Sequence, residues 1–175
     1  VDSDWTNIEV INLPNVVNPL GLNLGLSSTG KITLIQLWRE MNQSVEHLFA
    51  AHYQDEAGWS NGEIISSNVS SSLYITGIYF DDRGSAFVVR TSEQYLFNDI
   101  YVSRYQASNG WQSEVLIKQN AGDFPYPRFA VDKKSGNAII AWNQVDEANT
   151  EIFASYFFPA SGWSVAEKLF FDVTM

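Results

Sequence analysis

Glu151-Ile152-Phe153-Ala154-Ser155-Tyr156-Phe157-Phe158, followed by Pro159-Ala160-Ser161 and then Gly162-Trp163-Ser164, decides the fold, because its pattern occurs three times. Gly-Trp pairs stand at Gly58-Trp59, Gly110-Trp111 and Gly162-Trp163, successive copies lying 52 residues apart. The apolar run ahead of each keeps that spacing: LFAAHY from Leu48, IYVSRY from Ile100 and IFASYF from Ile152. Trp38, Arg90 and Trp142 are also 52 apart, and Glu63, Glu114 and Glu167 follow the Gly-Trp pairs. Gly30, Gly84 and Gly136 each lie 25 residues beyond a tryptophan: Trp5, Trp59 and Trp111. All six tryptophans therefore fall on repeat positions. Several residue types keeping one register define an internal repeat rather than a set of similar aromatic clusters.

The third copy shows what a repeat contains. Pro127 to Asp132 (PRFAVD) reads as a strand, and Lys133-Lys134-Ser135-Gly136 as a turn whose glycine accepts a positive φ. Asn137 to Gln144 is a second strand rich in β-favouring residues, and Glu151 to Phe158 a third. After the turn at Gly162, Trp163 to Phe170 is the fourth. Hairpin-length connections imply an antiparallel meander. In the first copy Gly30 is two residues farther from Trp38 than Gly136 is from Trp142, which predicts an insertion or bulge between them. The stretch from Leu34 to Phe49 has some helical character, but the match of Trp38 to Trp142 assigns its start to a strand.

These strands are apolar on both faces. In the third copy Ile152 and Ala154 point one way, Phe153 and Phe157 the other. A sheet with one wet face alternates, so each four-stranded sheet here requires cover on both sides. Stacking each sheet on the next supplies it, as in the blades of a β-propeller.

Composition narrows the function classes. The chain of 175 residues carries 10 basic and 20 acidic side chains, a formal net charge of -10. Such a balance argues against nucleic-acid binding, which needs a basic face for phosphates. No apolar run is long enough to predict a membrane span. With no cysteine, disulfides, zinc-thiolate sites and thiol catalysis are excluded. Few lysines and many Asn, Ser and aromatic residues predict an exported location, secreted or periplasmic.

At Asp132, Gly136-Asn137-Ala138, Trp142, Tyr156 and Gly162-Trp163-Ser164 the chain resembles bacterial β-propeller repeat proteins of the uncharacterised exported type. It is loosely similar to sialidase-like BNR propellers. Their Asp-box resembles Ser-x-Asp-x-Gly-x-x-Trp/Phe, and Asp82-Arg83-Gly84-Ser85-Ala86-Phe87 keeps its end, with Phe80 in place of the serine. The resemblance implies a propeller architecture and leaves the activity open. The expected fold is all-β: three four-stranded antiparallel propeller-type blades of about 52 residues plus one N-terminal strand. The single array 1–175 divides into a strand at 5–11 and blades at about 20–66, 72–118 and 126–172. A β-trefoil, also three repeats of four strands, is the alternative; the Gln-x-Trp signature of its lectin form is missing. Closed propellers have about four to eight blades, so three leave apolar end faces that predict self-association into a homodimer.

No catalytic motif stands out, and a non-enzymatic binding or interaction module is expected, for a carbohydrate or protein ligand. The alternative is a fragment of a sialidase-like glycoside hydrolase. That chemistry needs arginines converging on a substrate carboxylate, whereas Arg39, Arg83, Arg90, Arg104 and Arg128 occupy unlike repeat positions. Arg90 replaces tryptophan at the register of Trp38 and Trp142, so these three are the candidate ligand-binding residues; a structural ion pair is the competing role for Arg90. No cofactor and no metal site are expected. His47 and His52, five apart on a strand, point to opposite faces, and the acidic runs Asp81-Asp82 and Asp146-Glu147 lack calcium-loop spacing.

Overall fold

The computed structural model describes residues 18–28, 30–39, 46–54, 57–69, 73–94, 97–122, 125–146 and 149–169; the expected strand at 5–11 lies outside them. All of their regular structure is strand, in three antiparallel sheets. Sheet 1 contains β1 (Asn18–Leu26), β2 (Ile32–Arg39), β3 (Glu46–Gln54), β4 (Gly58–Trp59) and β5 (Glu63–Val69). Sheet 2 contains β6 (Leu73–Phe80), β7 (Ala86–Gln94), β8 (Phe97–Gln106), β9 (Gly110–Trp111) and β10 (Val115–Lys118). Sheet 3 contains β11 (Arg128–Val131), β12 (Ala138–Asp146), β13 (Asn149–Phe158), β14 (Gly162–Trp163) and β15 (Glu167–Leu169).

In each sheet the first three strands form a meander, and the last two segments both pair with the third strand. They are one interrupted fourth strand. β14 pairs with the Phe157–Phe158 end of β13, and β15 with Ile152 to Ala154. Each sheet keeps its own ladder, and no strand of one pairs with a strand of another among the described residues. Among the described residues no shared trefoil barrel is formed.

The ladder also locates the insertion. Ile32 pairs with Tyr53, Ala86 with Tyr105 and Ala138 with Phe157, so the three second strands start at one register. β2 then pairs with β3 without a shift as far as Arg39 and Glu46, which are seven apart in sequence; the corresponding Glu93 and Asn98 are five apart. The two extra residues lie beyond Arg39, not between Gly30 and Trp38. Gln36 pairs with Phe49, Arg90 with Tyr101 and Trp142 with Phe153. Gln36, not Trp38, thus stands at the register of Arg90 and Trp142. Counting back from the Gly-Trp pair carries the two-residue insertion into β2, which is why the spacing in sequence misassigned Trp38.

The three sheets stack, with sheet 2 in the middle. Ile35, Leu48, Ala50 and Ile65 of sheet 1 form one core with Val88, against which Ile75, Ile78 and Trp111 also pack. Phe87, Val89, Ile100 and Val102 form a second with Ala138, Ile140, Trp142 and Phe157. Successive residues of β7 therefore enter opposite layers, as strand alternation demands. Ala86, Phe87, Val88 and Val89 are each 0% exposed, so sheet 2 is covered on both faces. Burying one such large side chain stabilises by about 1.5–3 kcal/mol.

Neighbouring sheets also meet along their first strands, β1 against β6 and β6 against β11. Gly25 permits the first approach: a Cβ there would lie 2.5 Å from Phe80 Cε2.

Candidate functional site

The repeated polar residues close turns. The Ser27 hydroxyl accepts the Lys31 amide (3.0 Å). Asp81 Oδ1 accepts the amides of Arg83 (2.9 Å) and Ser85 (2.8 Å), and Asp132 Oδ1 those of Lys134 (2.9 Å) and Ser135 (2.8 Å). The capping acid in sheet 2 is thus Asp81, which is buried, whereas Asp82 is exposed. These amide donors hold the Asp132 carboxyl below its usual range. The turns of sheets 2 and 3 also join: the Asp82 amide donates to the Lys133 carbonyl (2.8 Å), and Arg83 Nη2 to the Ser135 carbonyl.

Gly-Trp has one geometry in all three sheets. Gly58, Gly110 and Gly162 have φ of 71°, 73° and 81°. Trp59 lies across Tyr53, Trp111 across Tyr105 and Trp163 across Phe157, with ring centroids 5.5, 5.5 and 5.3 Å apart. The next amide, of Ser60, Gln112 or Ser164, returns 2.7 Å to the carbonyl of His52, Arg104 or Tyr156. Where that residue is serine, its hydroxyl also accepts a strand amide: Ser60 from His52 (2.9 Å), Ser164 from Tyr156 (3.0 Å). The serine carries the ladder across the break in the fourth strand.

Two polar clusters occupy the layer between sheets 1 and 2. In one, Arg90 donates Nε (2.6 Å) and Nη2 to the two oxygens of Glu114. Glu114 also accepts the hydroxyls of Ser103 (3.3 Å) and, from sheet 1, Ser66 (3.1 Å). The guanidinium lies 4.0 Å from the Tyr101 ring centroid. Tyr101 donates its hydroxyl to Asp99 (3.1 Å); burial, then the Asp99 charge, raises its pKa.

In the other cluster His52 faces sheet 2. Its Nδ1 is 2.9 Å from Thr33 Oγ1, and its ring is stacked on Trp111 at 6.2 Å and 10° and tilted against Tyr105 at 4.6 Å. Lys31 Nζ donates to the Tyr105 hydroxyl (2.8 Å). Burial first, and Lys31 second, push the His52 pKa down to about 4, so the imidazole is neutral at pH 7. Between sheets 2 and 3 the equivalent position is Arg104, whose guanidinium lies 4.8 Å from the Phe157 ring centroid. Desolvation lowers its pKa, but an arginine stays charged.

Arg90 and Trp142 are not brought together as one site. Arg90 faces sheet 1 and is held by Glu114. Trp142 is 1% exposed and stacked on Phe153 in the other layer, at 6.1 Å and 16°. Trp38 stands on β2, paired with His47. The arginines diverge as well: Arg83 is at a turn, Arg128 is exposed on β11, and Arg104 lies in the layer opposite Arg90. Among the described residues no three His, Asp or Glu side chains are placed to hold a metal ion, and no helix is long and apolar enough to cross a membrane. Glu114 was visible in sequence only as the acid after Gly110-Trp111; its offset of three from tryptophan, against four for Glu63 and Glu167, was the signal for a distinct role. No family model matches the chain, and no curated protein matches it.

Proposed function

We propose that the chain is a propeller-type repeat module that acts by binding rather than by catalysis, at a secreted or periplasmic location. Its ligand is a carbohydrate or a protein surface, and its open ends associate with further copies of the chain. The observation that carries this reading is the burial of sheet 2 on both faces by sheets of the same plan. Stacked like repeats build extended surfaces for recognition. A hydrolase of the sialidase type would instead aim its arginines at one substrate carboxylate.

The test pairs a glycan array and a partner capture from the native source with hydrolysis assays on sialosides and other glycosides. Saturable binding without turnover is the expected result. Glycoside hydrolysis by the purified chain would overturn the proposal.

A further inference from the structure

The two end faces of the stack repeat the chemistry of faces that are covered inside it; on the rear of sheet 1 the centre, Leu34, Phe49 and Ala51, is itself buried, and the apolar row of β1 is what stays exposed. Call the face of each sheet that looks toward higher sheet number its front, and the other its rear. Inside the molecule every contact is front to rear: the front of sheet 1 on the rear of sheet 2, and the front of sheet 2 on the rear of sheet 3.

On the rear of sheet 2, Ile75 and Ile78 pack against the core shared with sheet 1. Their counterparts by strand register, paired with Gln36 and Leu34 as Ile75 and Ile78 are with Arg90 and Val88, are Leu22 and Leu24. These two, with Leu26 on the same face, are 58%, 62% and 68% exposed. On the front of sheet 2, Phe87, Val89, Ile100 and Val102 meet sheet 3. Their counterparts on the front of sheet 3 are Ile139, Ala141, Ile152 and Ala154. Phe158, on that same front, is 47% exposed.

We infer that the front of sheet 3 docks on the rear of sheet 1 in a second copy of this chain, head to tail, with Phe158 and the Leu22-Leu24-Leu26 row in the contact. The inference rests on the stacked-repeat reading above and names its partner. The contact continues the internal interface: apolar counterparts face each other in the order already used twice, with the handed twist that sets how one sheet lies on the next. A front-to-rear contact is heterologous, so two copies satisfy both ends only by closing on each other into a six-sheet ring. A row of three alternating exposed leucines is the kind of apolar patch that marks an interaction surface.

The test is gel filtration with light scattering at micromolar concentration on the intact chain, Leu24→Asp (rear) and Phe158→Asp (front). Both changes are at exposed positions, and near-UV circular dichroism matching the parent checks their folding. The intact chain is expected at twice the mass of one chain, and each variant alone at the mass of one. An equimolar mixture of the variants is expected to recover a two-chain species, because one supplies a sound front and the other a sound rear. A two-chain species from Phe158→Asp alone would mean rear-to-rear contact and overturn the inference. A monomeric intact chain with native circular dichroism would overturn the docking and leave the internal stack standing. The stack itself fails if Val88→Asp, inside the molecule, leaves stability unchanged.

Discussion

Arg90 and Glu114 face each other side-on, Nε and Nη2 of the guanidinium on the two carboxylate oxygens, in the layer where sheet 2 meets sheet 1. Their side chains are 5% and 15% exposed, so both charges have lost most of their water. Such a pair stabilises little by its presence and costs much when halved. Arg90→Met or Glu114→Leu alone should destabilise the fold by about 3–5 kcal/mol. The double replacement should lie within about 1 kcal/mol of the parent or above it. Urea unfolding of the four proteins, read as a double-mutant cycle, checks this; additive losses would contradict it.

Phe87 distinguishes a covered middle sheet from an exposed one. It is 0% exposed and touches Phe129 and Phe157 across the layer, at ring separations of 5.3 Å each. Phe87→Ala should cost about 3–5 kcal/mol. Leu24→Ala, on the outward face of sheet 1, should cost under about 0.5 kcal/mol when the chain is monomeric. Chemical denaturation at low protein concentration compares the two.

The turn glycines separate backbone strain from crowding. A Cβ at Gly162 (φ 81°) meets nothing within 4 Å, so Gly162→Ala should lose only the left-handed penalty, about 1–2 kcal/mol. At Gly136 (φ 70°) a Cβ would lie 2.2 Å from Arg83 Nη2, which donates to the Ser135 carbonyl. Gly136→Ala should therefore cost more than Gly162→Ala, and Arg83→Ala should narrow the difference. Thermal melts of the three variants and the double test the order.

His52 makes stability depend on pH. Its folded pKa of about 4 lies below the ordinary 6.5. As pH falls through 6.5 the unfolded chain takes up a proton that the folded chain refuses until about pH 4. The stability tied to His52 is full above pH 6.5, declines between 6.5 and 4, and levels off below. His52→Gln should remove that decline, seen as a smaller drop in unfolding free energy from pH 7 to pH 4.5 than the parent shows. Equal drops would place the imidazole in water.

The strands and their order were legible because Gly-Trp and the run before it recur without a gap wherever the third and fourth strands form. Trp59, Trp111 and Trp163 occupy matching surroundings for that reason. The register of β2 was not legible: two residues inserted beyond Arg39 shift the apparent register without altering the composition of the strand, so Trp38 resembled Trp142 while Gln36 held the place. Asp82 fits the Asp-box spacing, yet Asp81 caps the turn, because the amides of Arg83 and Ser85 converge on the first acid. The partners of Arg90 and His52 come from elements 24 and 19 residues away, and no local pattern reports such pairs.

Native-state hydrogen exchange of the monomeric chain, at low concentration, tests the stacked arrangement most directly. Amides of β7 from Ala86 to Ser92, hydrogen-bonded within a sheet that is covered on both faces, should exchange only through global unfolding. Those of β1, whose leucines face outward, should exchange through smaller openings and faster. If β7 exchanged as fast as β1, sheet 2 would not lie between the other two.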